Sequence, residues 1–371
     1  MLTPRPLTSL LLAIVALTGC SDRPDPRALG EANRCSLADG PRLTIGGVEP
    51  PAHIFGSVVA GTRLDDGRIA VIDRQARSVS VFSEDGVLLQ TLGREGEGPG
   101  EFLDPITIVS RGNTLTVRDW RQPRLTTFDL ETDETTTLPL EGIINPTAHL
   151  GDLPDGWVLG SEAIEPEGVG GLMNTRLHVL EFNTAGAITD TITSFVSRVR
   201  GWVDESTRLT GSPTFGPRGS FAARDARVYW THGDSAVVRK FEDGAVRPIQ
   251  WEWPVRRVSE GDVEAYRDQW IAAQPRGETT IRQTIEAMPV AETFPVVANL
   301  VADVADGVWA EIYAMPGDTL ETWLHLTEEG VRCRVDLPRS FTMLEAAGDW
   351  ILGSFTDDLG VQTVQLWELG S

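Results

Sequence analysis

Five histidines, His53, His149, His178, His232 and His325, and three cysteines, Cys20, Cys35 and Cys333, are the residues of this 371-residue chain best suited to metal binding or nucleophilic chemistry. No two histidines stand at metal-ligand spacing, and the chain has no H-E-x-x-H, C-x-x-C or G-x-S-x-G motif. No local stretch therefore assembles a catalytic centre. Distant residues could still meet in the fold, and His53 and His149, before or within predicted innermost strands, are the candidates for a calcium or zinc ion. No other cofactor is indicated. The acidic turn Asp129 to Glu134 does not match an EF-hand loop and reads as solvated charge.

The elements that would position such residues begin after a leader. Arg5 precedes a mostly aliphatic run from Leu7 to Leu17, too short to span a bilayer, which reads as a signal peptide over residues 1–19. The following Leu17-Thr18-Gly19-Cys20 resembles the lipobox of bacterial lipoproteins, and the resemblance implies that Cys20 becomes the lipidated first residue of the mature chain. Residues 20–34 are polar and proline-rich at their start, the composition of a tether. Ser21 stands where the inner-membrane retention signal of such lipoproteins has Asp, which implies an outer-membrane address by analogy. No other stretch approaches 18 apolar residues, so the lipid is the expected membrane attachment.

Composition fits a folded body, with 41% hydrophobic and 23% charged residues. The 54 acidic and 32 basic residues give a net charge of −22, which repels phosphate backbones and excludes nucleic acid as an expected partner. A protein or glycan is the expected partner class. Cys35 and Cys333 lie near opposite ends of the body, in an oxidising compartment that permits a disulfide. Such a bond would contribute at most about 4 to 5 kcal/mol by restraining the unfolded chain; two separate buried thiols are the alternative.

A phrase of turn, strand, linker, strand, turn and strand recurs six times, seeded at Asp66, Asn113, Asp155, Asp225, Asp306 and Asp349. The intervals are 47, 42, 70, 81 and 43 residues, so three match a four-stranded blade and two carry insertions. Closing such sheets into a ring buries both faces of each one. The expected fold is thus an all-β, six-bladed β-propeller over residues 35–371, in preference to a sandwich or solenoid. The sixth copy ends at Gly370-Ser371 without its last strand, and Arg42 to Ile45 has no copy of its own, so this N-terminal piece is expected to close the ring.

The stretch Gly93-Arg94-Glu95-Gly96-Glu97-Gly98-Pro99-Gly100-Glu101-Phe102, with Asp73, Arg77, Asp119, Arg124 and Phe128, resembles the inter-blade connection of NHL-repeat proteins and TolB-like six-bladed propeller lipoproteins. Gly93, Gly96, Gly98 and Gly100 permit close backbone approach, Pro99 fixes a turn, and Phe102 is expected to plug between blades. Its acidic content and the strand that follows argue against a phosphate cradle. Asp73 with Arg77, and Asp119 with Arg124, read as intra-blade ion pairs.

Two insertions remain. Residues 256–288 predict a helical hairpin within a blade, begun by Ser259-Glu260-Gly261-Asp262 with Val263, Tyr266, Trp270 and Ile271 on one stripe, and continued by Glu278 to Met288. Glu162 to Gly171 and Arg198 to Gly216 predict exposed loops in blade 3. Trp120, Trp157, Trp230 and Trp309 read as core anchors, although Trp also stacks on sugars. Three functions follow: an envelope module binding an unidentified protein or small ligand, a hydrolase or lyase with an axial metal, and a carbohydrate-binding component of a polysaccharide system.

Overall fold

The computed structural model describes residues 34–48, 53–143, 145–165, 172–204, 209–273, 282 and 286–370. The leader, Cys20 and the rest of the tether up to residue 33 lie outside them. Six antiparallel sheets follow one another in chain order. Blade 1 is Val58–Arg63, Ile69–Asp73, Ser78–Phe82 and Leu88–Leu92, and blade 2 is Pro105–Arg111, Thr114–Asp119, Arg124–Asp129 and Thr135–Pro139. Blade 3 is Pro146–Leu153, Gly156–Glu165, Leu172–Asn183 and Ile188–Asp204, with Leu209–Gly211 as a fifth strand. Blade 4 is Ser220–Arg224, Arg227–Thr231, Val237–Glu242 and Ala245–Gln250, and blade 5 is Val297–Ala302, Val308–Ile312, Leu320–Thr327 and Gly330–Pro338. Blade 6 is Phe341–Ala347, Trp350–Thr356 and Gln362–Gly370.

The first strand of every blade contacts the first strand of the next, and that of blade 6 contacts that of blade 1, so the sheets form a closed ring. Closure is completed by the N-terminal chain. Leu43–Ile45 pairs with Val364 to Leu366 and Ser36–Leu37 with Leu369 and Gly370, so two short pieces share the place of one outer strand. Just before them, Cys35 is disulfide-bonded to Cys333 on the outer strand of blade 5, with Cα atoms 5.4 Å apart.

Each seam between blades holds its own apolar cluster, such as Ala70, Ile72, Phe102, Ile108 and Phe128 between blades 1 and 2. Because neighbours cover both faces of a blade, the middle strands carry almost no exposed position: all of Ile69–Asp73 and Ser78–Phe82 is buried. At the lower end of the axis, Glu345 of blade 6 accepts hydrogen bonds from Thr62 Oγ1 at 2.8 Å, the Arg63 backbone N–H at 2.7 Å and Arg224 Nη1 of blade 4 at 2.6 Å. Burial acts to lower the Arg224 pKa, but the charge of Glu345 and its hydrogen bond outweigh this and the net shift is upward.

Several elements depart from the sequence expectation. The insertion leaves the last strand of blade 4 and returns into the first strand of blade 5, so it lies between blades and not within one. Its helix α1 spans Glu260–Ala273, whereas most of the second expected helix, at 278–288, falls outside the described residues. Where described, the blade 3 segments read as loops are largely strands: the middle hairpin pairs out to Glu165 and Asn174, and Ile188–Asp204 runs 17 residues. Glycine and glutamate there obscured the alternation that the cross-strand ladder uses.

Asp73 does not pair with Arg77. It accepts the backbone N–H groups of Gly56 at 2.7 Å and Ser57, Gln75 and Ala76 at 3.0, 3.0 and 3.1 Å, while Arg77 pairs with Glu95. Asp119 likewise accepts from Leu103, Asp104, Arg121 and Gln122, and Arg124 donates to the carbonyls of Glu97, Gly98 and Glu101. A short carboxylate at a strand end reaches nearby backbone donors more readily than a long cation. Trp120 is 49% exposed, since it stands just past the strand end with Arg118 over its ring.

Candidate functional site

The connections from each outer strand to the next inner strand leave on one face of the ring, here called the upper face. Both insertions rise from it: α1 between blades 4 and 5, and the elongated strands of blade 3. Ser259 and Asp262 cap the helix reciprocally, with the Ser259 N–H donating to Asp262 at 2.9 Å and the Asp262 N–H donating to Ser259 Oγ at 3.3 Å. Backbone bonds fix its base. The N–H groups of Val258 and Phe294 donate to the carbonyls of Glu292 and Arg256, and those of Thr214 and Ala291 to Pro289 and Thr214. The insertion is therefore laced both to itself and to the chain entering blade 4.

Between α1, the connection into blade 4 and the first strand of blade 5 lies a cavity of about 630 Å³. Phe215, Arg218, Tyr266, Trp270, Met288 and Tyr313 are prominent in its lining. Val263 on the inner stripe of α1 is buried with Phe215, Phe294 and Met315, which holds the helix against the ring. The rings of Phe215 and Tyr266 lie 5.0 Å apart, and those of Tyr266 and Trp270 lie 5.9 Å apart, so three aromatics form a continuous wall. Phe215 holds φ of 59°, a left-handed conformation unfavourable for a bulky side chain, and such strain gathers where a site needs a fixed geometry.

Arg218 is the one charged side chain of the described lining. Burial raises the pKa of Tyr266 and Tyr313, and the Arg218 charge works against this at both, so the guanidinium lies within electrostatic reach of the two phenols. Two more arginines stand on the neighbouring wall. Arg198 opposes Thr175 and Arg200 opposes Met173 across blade 3, which puts both cations on one face, and Arg198 pairs with Glu162. The Arg200 pKa is lowered, by burial first and then by its positive neighbours Arg198 and Arg218, with Glu162 opposing. A Cβ on Gly201, next in the chain, would come within 3.2 Å of Met288, so the face of this strand opposite Arg198 and Arg200 is the one that meets the cavity lining.

The residues singled out from sequence lie elsewhere. His53 packs against Phe55 and Phe82, with ring centroids 4.7 and 5.3 Å away, at the seam of blades 6 and 1. His149 packs on Phe221, 4.8 Å away, at the seam of blades 3 and 4. Burial, aided by Arg118 and opposed by Glu162, pushes the His149 pKa down to about 4, so its ring is neutral at neutral pH. The two histidines thus occupy different seams, and among the described residues no group of three or more His, Cys, Asp or Glu could share a metal. The glycine-rich stretch crosses from blade 1 to blade 2, with Phe102 fully buried. The carboxylate Asp129 is occupied by the N–H groups of Glu131 and Thr132 in its own turn.

The sequence offered a partial signal for the cavity. Tyr266 and Trp270 fall at helical spacing, but Phe215 and Arg218 belong to the connection into blade 4 and Tyr313 to one within blade 5, which only the folded ring brings together. A further polar cluster was missed as well: Asp303 accepts from Trp309 Nε1 at 3.0 Å and lies 3.2 Å from His325 Nε2, inside blade 5. The Trp309 and His325 rings stack 4.7 Å apart. All three side chains are sealed from solvent, which marks this cluster as a structural tie.

A family model described as a 6-bladed beta-propeller, DUF5128, matches residues 59–150. The chain is a six-bladed propeller. Among solved structures, a DUF4221 member from Bacteroides vulgatus aligns with a TM-score of 0.49 and 9% identity over 91% of this chain and 99% of its own. A Bacteroides fragilis protein provisionally named as exported aligns with a TM-score of 0.49 and 8% identity over 92% and 97%. Virginiamycin B lyase of Staphylococcus aureus aligns with a TM-score of 0.41 and 8% identity over 90% and 99%. No curated protein matches the chain in sequence.

Proposed function

We propose that the protein is an exported, lipid-anchored propeller of the bacterial cell envelope that captures a small ligand in the upper-face cavity between α1 and the connection into blade 4. The cavity carries this reading: about 630 Å³ with an aromatic wall falls in the range of small-molecule sites. The scaffold supports it, because rigid blades hold the cavity walls and backbone bonds tie the α1 insertion to the connection into blade 4. The anchor rests on the order of Leu7 to Leu17, the small residues and Cys20. Among the described residues no helix is long and apolar enough to cross a membrane. The bond between Cys35 and Cys333 suits an oxidising envelope compartment.

The test uses the neutral fluorescent probe N-phenyl-1-naphthylamine with the full mature chain. Saturable binding of one equivalent, lost in Trp270→Ala, supports the cavity as the site. Binding of equal strength in Trp270→Ala and Phe215→Ala contradicts it. For the anchor, Cys20→Ala should move the protein from the membrane to the soluble envelope fraction; unchanged retention contradicts lipidation.

A further inference from the structure

The charge of the cavity is opposite to that of the molecule. The chain has 22 more acidic than basic residues, yet no Asp or Glu is among the described lining residues and Arg218 is its one charge. Among the described residues Arg218 forms no ion pair with a carboxylate. Arg198 has its own partner in Glu162. A guanidinium beside an apolar wall and without a counter-ion is a ready donor for a carboxylate, sulfate or phosphate oxygen. The aromatic wall of Phe215, Tyr266 and Trp270 meanwhile offers flat apolar surface on the same cavity.

We infer that the ligand is an organic anion with a planar apolar body, its rings against Tyr266 and Trp270 and its negative group on Arg218. This inference rests on the reading of the cavity as the binding site.

The experiment compares 2-naphthoate with its neutral isostere 2-naphthamide by isothermal titration on the full mature chain. The expected ratio of Kd, amide to carboxylate, is at least about tenfold, because a charge-assisted hydrogen bond is stronger than a neutral one. Arg218→Gln should bring that ratio to about one. Arg332→Gln, an exposed arginine on the opposite face, should leave it unchanged. Equal affinity for the two probes in the wild-type protein, abolished by Trp270→Ala, overturns the anion inference and keeps the cavity reading. No binding of either probe at millimolar concentration overturns both. A ratio that persists in Arg218→Gln assigns the preference to another group and overturns the role given to Arg218.

Discussion

Replacing Glu311 with glutamine should stabilise the protein above neutral pH and do little in mild acid. Glu311 lies on the second strand of blade 5 opposite Trp323, and Glu321, two residues from Trp323, is its diagonal neighbour on the same face. Burial pushes the Glu311 pKa up to about 7 from 4.5, with the charge of Glu321 adding to the rise and Arg339 opposing it. The folded state therefore holds a proton that the unfolded chain releases. Stability from this group is full below the unfolded value of 4.5 and is lost as pH climbs through about 7. That displacement corresponds to a limit of about 3 kcal/mol. Glu311 is only partly buried, so water screens its charge and the expected effect is about 1 to 2 kcal/mol. Urea unfolding of wild type and Glu311→Gln at several pH values reads this directly: the two should agree near pH 4.5 and diverge toward pH 8, the variant being the more stable. Parallel curves, or a variant less stable at pH 8 than the wild type, would refute the assignment of a destabilising buried carboxylate.

Three further outcomes follow from the ring itself. Arg224→Ala leaves Glu345 buried without its cation and should lower stability by about 3 to 5 kcal/mol in chemical denaturation, whereas Arg224→Lys should recover part of the loss. Cys333→Ser, or reduction of the wild type, should lower stability by up to about 5 kcal/mol, and the double variant with Cys35→Ser should be no worse than either single one. Gly93→Ala puts a Cβ 2.3 Å from the Phe102 ring at a residue with φ of 75°, so it should lower the thermal midpoint measurably more than Gly244→Ala, where the new Cβ meets nothing.

The ring was readable because its repeat is a rhythm of turn and strand, and each Asp-Gly or Gly-Asn seed lies at a hairpin. Even the defect was informative: the missing strand of blade 6 and the unmatched Arg42 to Ile45 are two halves of one element. What escaped was whatever the polar side chains chose among several partners. Asp73 could have met Arg77, but the folded turn offered four N–H groups within 3.1 Å. In blade 3, Thr175 and Met173 alternate toward Arg198 and Arg200 once the hairpin is paired, although composition alone reads as loop. The cavity was the least legible part. Its rings come from α1, the connection into blade 4 and the end of the second strand of blade 5, and no linear pattern joins Phe215 to Tyr313.

A crystal structure of the full mature chain with 2-naphthoate tests the central claim most directly. The account predicts the naphthyl ring against Tyr266 and Trp270, with the carboxylate within hydrogen-bond distance of Arg218. Density for the ligand on the axis or at another seam, with the cavity between α1 and the connection into blade 4 unchanged, would contradict it.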